Sequence, residues 1–242
     1  GYTVATEMYS AGIERLTHQP LSFSVSETTE GVHIHIIDAE LMGKGEKEKK
    51  DLYIEGVQNN GIINHYEYII NSEGTIEIRH VLKPEGKMPL WFPRIGLTLT
   101  VSDALDQVKW YGRGPQENYP DRKTGYPMGI YASTVQAMYE PYLMPQDYGL
   151  RTDVRWLQLT TDKGIGLQFK MNEWFNFNIY PYSTDNLTKA MYTYQLQKQK
   201  GMTLNLDYAT TGVGCTARGV FGAYKAMPQE YRRTISIRPM MK

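Results

Sequence analysis

Glu117 and Asp121 lie four residues apart in the run WYGRGPQENYPDR, Trp110 to Arg122. Two carboxyl groups held about 5 Å apart can serve as acid/base and nucleophile at a glycosidic bond. The same run holds Arg113, Arg122 and Asn118, and Arg151 follows further on. With those neighbours the carboxylates can instead accept charge-assisted hydrogen bonds and hold the segment in shape. The structural role is the expected one for this pair. Arg94 sits in the otherwise apolar run FPRIGL and is expected to meet a carboxylate. His33 and His35 are two apart in HIHII, which would make half of a metal site. No third ligand stands near them in sequence, so exposed strand histidines are expected. Cys215 has no histidine beside it and reads as an idle or buried thiol.

The segment that carries Glu117 is a loop. Gly112, Gly114, Pro115 and Pro120 are incompatible with a helix, and the prolines are incompatible with an inner strand. Trp110 borders this loop and is expected to be the most exposed of the four tryptophans, free to stack on a sugar face. Trp91, Trp156 and Trp174 stand in strand-like runs, where core packing is expected.

Around the loop, period-two alternation dominates. SFSVSE (Ser22 to Glu27) and GVHIHIID (Gly31 to Asp38) read as antiparallel strands, with histidines on one face and isoleucines on the other. Ile62 to Ile70 and Thr75 to Leu82 read as a hairpin around NSEG. Arg155 to Met171 reads as a second hairpin turning at Asp162 to Gly164. Leu90 to Val101, Met202 to Tyr208 and Tyr231 to Pro239 supply further strands. One short helix is expected in STDNLTKAMYTYQLQ, Ser183 to Gln197, after a cap at Ser183 or Thr184. GKGEKEKKD, Gly43 to Asp51, reads as a solvated loop. Many short strands with turns between them give an all-β sandwich, read as one domain.

The 242 residues carry 26 basic and 26 acidic side chains, so no charge imbalance points to nucleic acid or an anionic membrane. No apolar run approaches the length of a membrane-crossing helix, and no signal peptide is read at the start. The chain opens directly on strand-like alternation, as expected for a piece of a longer polypeptide. A single cysteine excludes an internal disulfide, which fits a reducing compartment and equally an exported protein that uses none. Nineteen tyrosines suit strands and sugar-recognising surfaces.

Four ordered segments carry a family resemblance. GRGPQENYPDR (Gly112 to Arg122) resembles the signature of the C-terminal "small chain" domain of glycoside hydrolase family 2 β-galactosidases. FPRIGL (Phe92 to Leu97), PYLMPQDYGLRTDVRW (Pro141 to Trp156) and LDYATTGVG (Leu206 to Gly214) resemble its other motifs in the same order. The resemblance implies a large antiparallel two-sheet supersandwich, galactose-mutarotase-like, that lacks the first part of the family domain. It implies a parent enzyme that hydrolyses terminal β-D-galactosides with retention, through glutamates on a separate barrel domain. This chain then holds no catalytic residue, and it packs on the barrel and sandwich domains of the same polypeptide. No cofactor is expected here, and any divalent or monovalent metal of the parent falls to its other domains. The family carries a sugar-stacking tryptophan after the Gly-Val-Gly turn. Here Cys215 to Tyr224 has none, so Arg218 or Phe221 is expected to stand in at the rim, beside Trp110. The loop-ordering set is then Arg94, Arg113, Glu117, Asn118, Asp121, Arg122 and Arg151. Two other readings remain: a stand-alone carbohydrate-binding module and a mutarotase-like epimerase.

Overall fold

The computed structural model describes residues 15–43, 61–86, 88–214 and 219–241. Cys215 and Arg218, and the charge run beyond Gly43, lie outside the described residues. The described chain is built almost wholly of antiparallel strands and divides into two compact units. One comprises Gly1–Pro93 with Ala226–Ser236, and the other comprises Arg94–Lys225 with Ile237–Lys242.

In the first unit, β1 (Arg15–Thr28), β2 (Gly31–Gly43), β3 (Gly61–Ile70) and β4 (Ile76–Glu85) pair in sequence order. The β3–β4 turn is closed by Asn71, whose Oδ1 accepts the N–H groups of Glu73 and Thr75. Gly74 there has φ 76°, a conformation that glycine adopts without a Cβ clash. Alternation sorts the side chains of β4. Ile78, His80 and Leu82 are buried on one face, and Arg79 points the other way. His80 stacks on Tyr66 at 4.2 Å and hydrogen-bonds Asn64 Oδ1 at 3.0 Å. Burial, and then the nearby His65, push its pKa down to about 3, so the ring stays neutral.

In the second unit the order is β5 (Arg94–Val101), β10 (Met202–Thr210), β9 (Gly166–Tyr180), β8 (Arg151–Thr160), β6 (Gln107–Arg113), β7 (Met128–Thr134). Its core is apolar and aromatic: Trp110, Leu157, Leu159, Phe169, Phe175, Phe177, Ile179, Leu204 and Leu206. Strand β10 is buried from Met202 to Tyr208, so its polar side chains need partners inside. Asn205 finds them in Asn178, Tyr180 and Thr98. A six-residue helix, α1 (Thr184–Lys189), begins at Ser183, whose hydroxyl accepts the Asn186 N–H. Its Leu187 packs into a tyrosine cluster with Tyr148, Tyr180, Tyr139 and Tyr182. Several of the many tyrosines are therefore core material. The helix is shorter than the Ser183 to Gln197 run, and a 3-10 turn at Thr193–Gln195 follows it.

Candidate functional site

Strand β6 delivers the chain into the signature loop, and Trp110 closes its end by donating Nε1–H to the Arg113 carbonyl at 3.0 Å. Trp110 is fully buried, at 0% exposure, against Tyr131 and the edge of Phe177, with the Arg151 guanidinium 5.4 Å over its ring. This corrects the expectation of an exposed, sugar-stacking Trp110. The physical reason is Gly114, where a Cβ would lie 2.8 Å from the Tyr131 ring, so the loop folds tightly over the indole. Trp174 also departs from expectation. It is half-exposed on β9, with Arg155 4.4 Å over its ring.

Glu117 is buried at the centre of the loop. Its carboxylate accepts hydrogen bonds from Arg122 Nη2 at 2.7 Å, the Gly149 N–H at 2.8 Å, Tyr119 OH at 3.4 Å, and Tyr142 OH. Two of those donors belong to the Pro141 to Trp156 motif. Asn118 adds to the same seam. Its N–H donates to the Leu150 carbonyl, and its Oδ1 accepts from the Thr152 N–H and hydroxyl. Asp121 reaches the Leu206 to Gly214 motif, accepting the N–H groups of Val213 at 3.1 Å and Gly214 at 2.7 Å.

The arginines divide differently from expectation. Arg122 meets Glu117, but Arg113 donates to Asp153 at 2.6 Å and to the Lys123 and Tyr126 carbonyls. Lys123 joins it on Asp153 at 2.8 Å. Burial raises the Asp153 carboxyl, but the hydrogen bonds from Lys123 and Arg113 outweigh it and hold the pKa below the ordinary value. Asp153 itself has φ 56°, at the β8–β9 register shift. Among the described residues, Arg151 forms no ion pair with a carboxylate. It donates to the Gly149 carbonyl, and burial lowers its pKa to about 10 against the pull of Glu140 and Glu117.

Arg94 meets Asp147 at 3.0 Å and Asp207 at 3.3 Å. Burial raises the Asp207 carboxyl to about 6, opposed by Arg94 and reinforced by Asp147. Asp147 also accepts from Asn178. Sequence reasoning missed Asp147, Asp153, Tyr142 and Lys123. Tyr142, Asp147 and Asp153 stand within the Pro141 to Trp156 motif, but their partners lie on other segments.

Among the described residues, Phe221 is 69% exposed, on the 3-10 turn Gly222–Tyr224 that follows it. Leu143, Met144 and Val213, on the loops that Glu117 and Asp121 anchor, are also exposed. This arrangement is a set of loops locked from beneath by buried charge, with apolar side chains facing outward. Four donors occupy the Glu117 carboxylate, and each oxygen of Asp121 is engaged by a loop N–H.

Over residues 8–237 the chain matches the family described as beta galactosidase small chain, and it belongs to that family. It is 38% identical over 147 residues to a β-galactosidase of Priestia megaterium, covering 61% of this chain and 14% of that protein. It is 39% identical over 122 residues to a β-galactosidase of Vibrio cholerae, covering 50% and 11%. A β-galactosidase of Pseudoalteromonas haloplanktis is 34% identical over 148 residues. The matched stretch is thus a small part of each of these relatives. A solved GalM/aldose epimerase homologue from C. elegans aligns with TM-score 0.44 and 10% identity, over 91% of this chain and 69% of its own.

Proposed function

We propose that this chain is the small-chain module of a β-galactosidase whose acid/base and nucleophile lie on other domains of a longer polypeptide. In this reading the parent hydrolyses terminal β-D-galactosides with retention. The module presents the segments at 141–150, 211–214 and 219–224 to a neighbouring barrel domain and forms part of the active-site rim. It does no chemistry itself.

The observation that carries this reading is the state of Glu117. Four donors converge on its carboxylate, two of them from the loop at 141–150. A nucleophile needs an accessible lone pair aimed at substrate. A carboxylate saturated by its own chain is a fastener, and its value lies in holding surface loops in a fixed shape. The exposed Leu143, Met144 and Phe221 supply apolar area of the kind that domain interfaces bury.

The test is a hydrolysis assay of this chain alone with a chromogenic β-galactoside. No turnover above the uncatalysed rate is expected. Measurable turnover that survives purification and is abolished by Glu117→Gln would place the chemistry in this chain and defeat the reading.

A further inference from the structure

In the first unit, β2 and β3 bring His33, His35 and Glu67 to one face. The histidines are two apart on β2, so the pleat sends both side chains the same way. Glu67 stands directly opposite His35 in the β2–β3 register. Glu67 is the third group that the local sequence around the histidines does not supply, because it arrives 34 residues after His33 through strand pairing.

His33 Nδ1 lies 3.4 Å from Glu67 Oε1, and His35 Nε2 lies 3.9 Å from the same oxygen. One ligand atom from each of the three sits within 4.8 Å of the other two. These separations are long for hydrogen bonds. They lie much nearer the ligand-to-ligand edge of about 3.3–3.4 Å that bonds of 2.0–2.1 Å around a tetrahedral ion require. The rings lean over one another at 6.4 Å with a 25° tilt, so both nitrogens converge on one region.

Glu67 is pre-oriented. Arg79 Nη1 donates to its other oxygen, Oε2, at 3.1 Å, and Arg79 Nε is held by Glu77 at 2.8 Å. That clamp leaves Oε1 as the oxygen facing the imidazoles, as an outer-shell partner orients a metal-binding carboxylate. His33 is held by packing, with a side chain only 12% exposed, and its Nε2 is buried with no hydrogen-bond partner among the described residues. His35 is 50% exposed, which leaves one side of the cluster open to solvent.

We propose that His33, His35 and Glu67 form a binding site for one divalent transition-metal ion. Two imidazoles and one carboxylate suit zinc, copper(II) or nickel, whereas magnesium and calcium prefer oxygen ligands alone. The open side leaves room for water or for a donor from another molecule. Because its ligands come from two strands, the ion ties β2 to β3 at the His35–Glu67 register. None of the three residues belongs to the family motifs, so the site stands or falls independently of the proposed enzymatic role.

The test is calorimetric titration of the metal-free full chain with zinc chloride, repeated with magnesium chloride, and a copper(II) electron paramagnetic resonance spectrum. One equivalent of zinc is expected to bind, with micromolar or tighter affinity, and magnesium is not expected to compete. His33→Ala, His35→Ala and Glu67→Gln should each weaken zinc binding at least tenfold, the scale at which even outer-shell losses register. His18→Ala should leave it unchanged. The copper spectrum should show coupling to two nitrogens in the parent chain and to one in His35→Ala. His35→Gln is a second variant at the half-exposed position, in case the alanine change perturbs folding. Absence of zinc binding below millimolar concentration would overturn the proposal. So would affinity retained within twofold in all three ligand variants, or equal competition by magnesium.

Discussion

Asp121 and Gly214, 93 residues apart in the chain, meet through a 2.7 Å hydrogen bond from the Gly214 N–H to the Asp121 carboxylate. Val213 donates a second N–H at 3.1 Å to the other oxygen. The carboxylate approaches so closely that a Cβ on Gly212 would fall 2.3 Å from Asp121 Cγ. Two segments that sequence alone presents as separate motifs are thus one structural joint.

That joint sets the first expectation. Asp121→Ala should destabilise the chain by about 2–3 kcal/mol, because two charge-assisted hydrogen bonds are lost. Gly212→Ala should cost about 1–3 kcal/mol by forcing the carboxylate away. The double variant should cost less than the sum, since both changes break the same joint. Urea unfolding curves of the three variants check this, and strict additivity would separate the two residues.

Glu117 should matter more than its partner Arg122. Glu117→Gln places a group with a single acceptor oxygen before four donors in a buried position. A loss of about 3–5 kcal/mol is expected, as for a broken buried pair. Arg122→Ala should cost at most about 1 kcal/mol, because its side chain is 46% exposed and screened. Thermal melts monitored by circular dichroism decide the ranking.

Asp207 gives the chain a pH signature. Its folded-state pKa of about 6 lies above the ordinary 3.8. A carboxyl raised on folding binds protons more tightly in the folded state, so its contribution is fully present below the unfolded pKa. It is lost as pH rises through the window from about 4 to about 6. Asp207→Asn removes this dependence. The stability of Asp207→Asn relative to the parent chain should therefore rise between pH 4 and pH 7, by on the order of 3 kcal/mol at 1.36 kcal/mol per pKa unit. Asp153 works in the opposite sense. Its lowered pKa stabilises the chain above the unfolded value and fails as pH falls. Denaturant titrations at the two pH values, with both Asp207→Asn and Asp153→Asn, separate the contributions.

Phe221 should act on substrate affinity and leave the fold alone. In the proposed parent enzyme, Phe221→Ala should lower kcat/KM by roughly 5–30-fold, the scale of one aromatic contact. The melting temperature of the isolated chain should not move, because the ring is exposed. A loss of several thousand-fold in kcat would mean that the loop carries chemistry.

Strands were legible in the sequence where one face is buried and the other is wet. In β4 the buried Ile78, His80 and Leu82 alternate with Glu77, Arg79, Val81 and Lys83, so the pattern shows directly. Strand β10 alternates in sequence too, but both of its faces are buried. Asn205 and Asp207 sit inside because Asn178, Tyr180, Thr98 and Arg94 satisfy them from other strands. The same limit applied to the site. Glu117, Asn118 and Asp121 stood out as a dense polar run, but Tyr142, Asp147 and Asp153 become partners only through tertiary pairing. Trp110 was misplaced because a glycine's absent side chain marks close approach without telling what approaches. Glu67 escaped notice for the same reason as Asp153: strand register, and no local motif, brings it to His33 and His35.

The proposed division of labour between this chain and the rest of a longer enzyme is tested most directly by complementation. The parent polypeptide truncated to remove these 242 residues would be assayed on a chromogenic β-galactoside, alone and after adding this chain in trans. The expected result is little activity from the truncated parent, none from this chain alone, and recovery when the two are mixed. Recovery should be weaker with the Glu117→Gln chain, whose loops are no longer locked. Full activity of the truncated parent on its own, or turnover by this chain on its own, would contradict the assignment of a rim-forming, non-catalytic module.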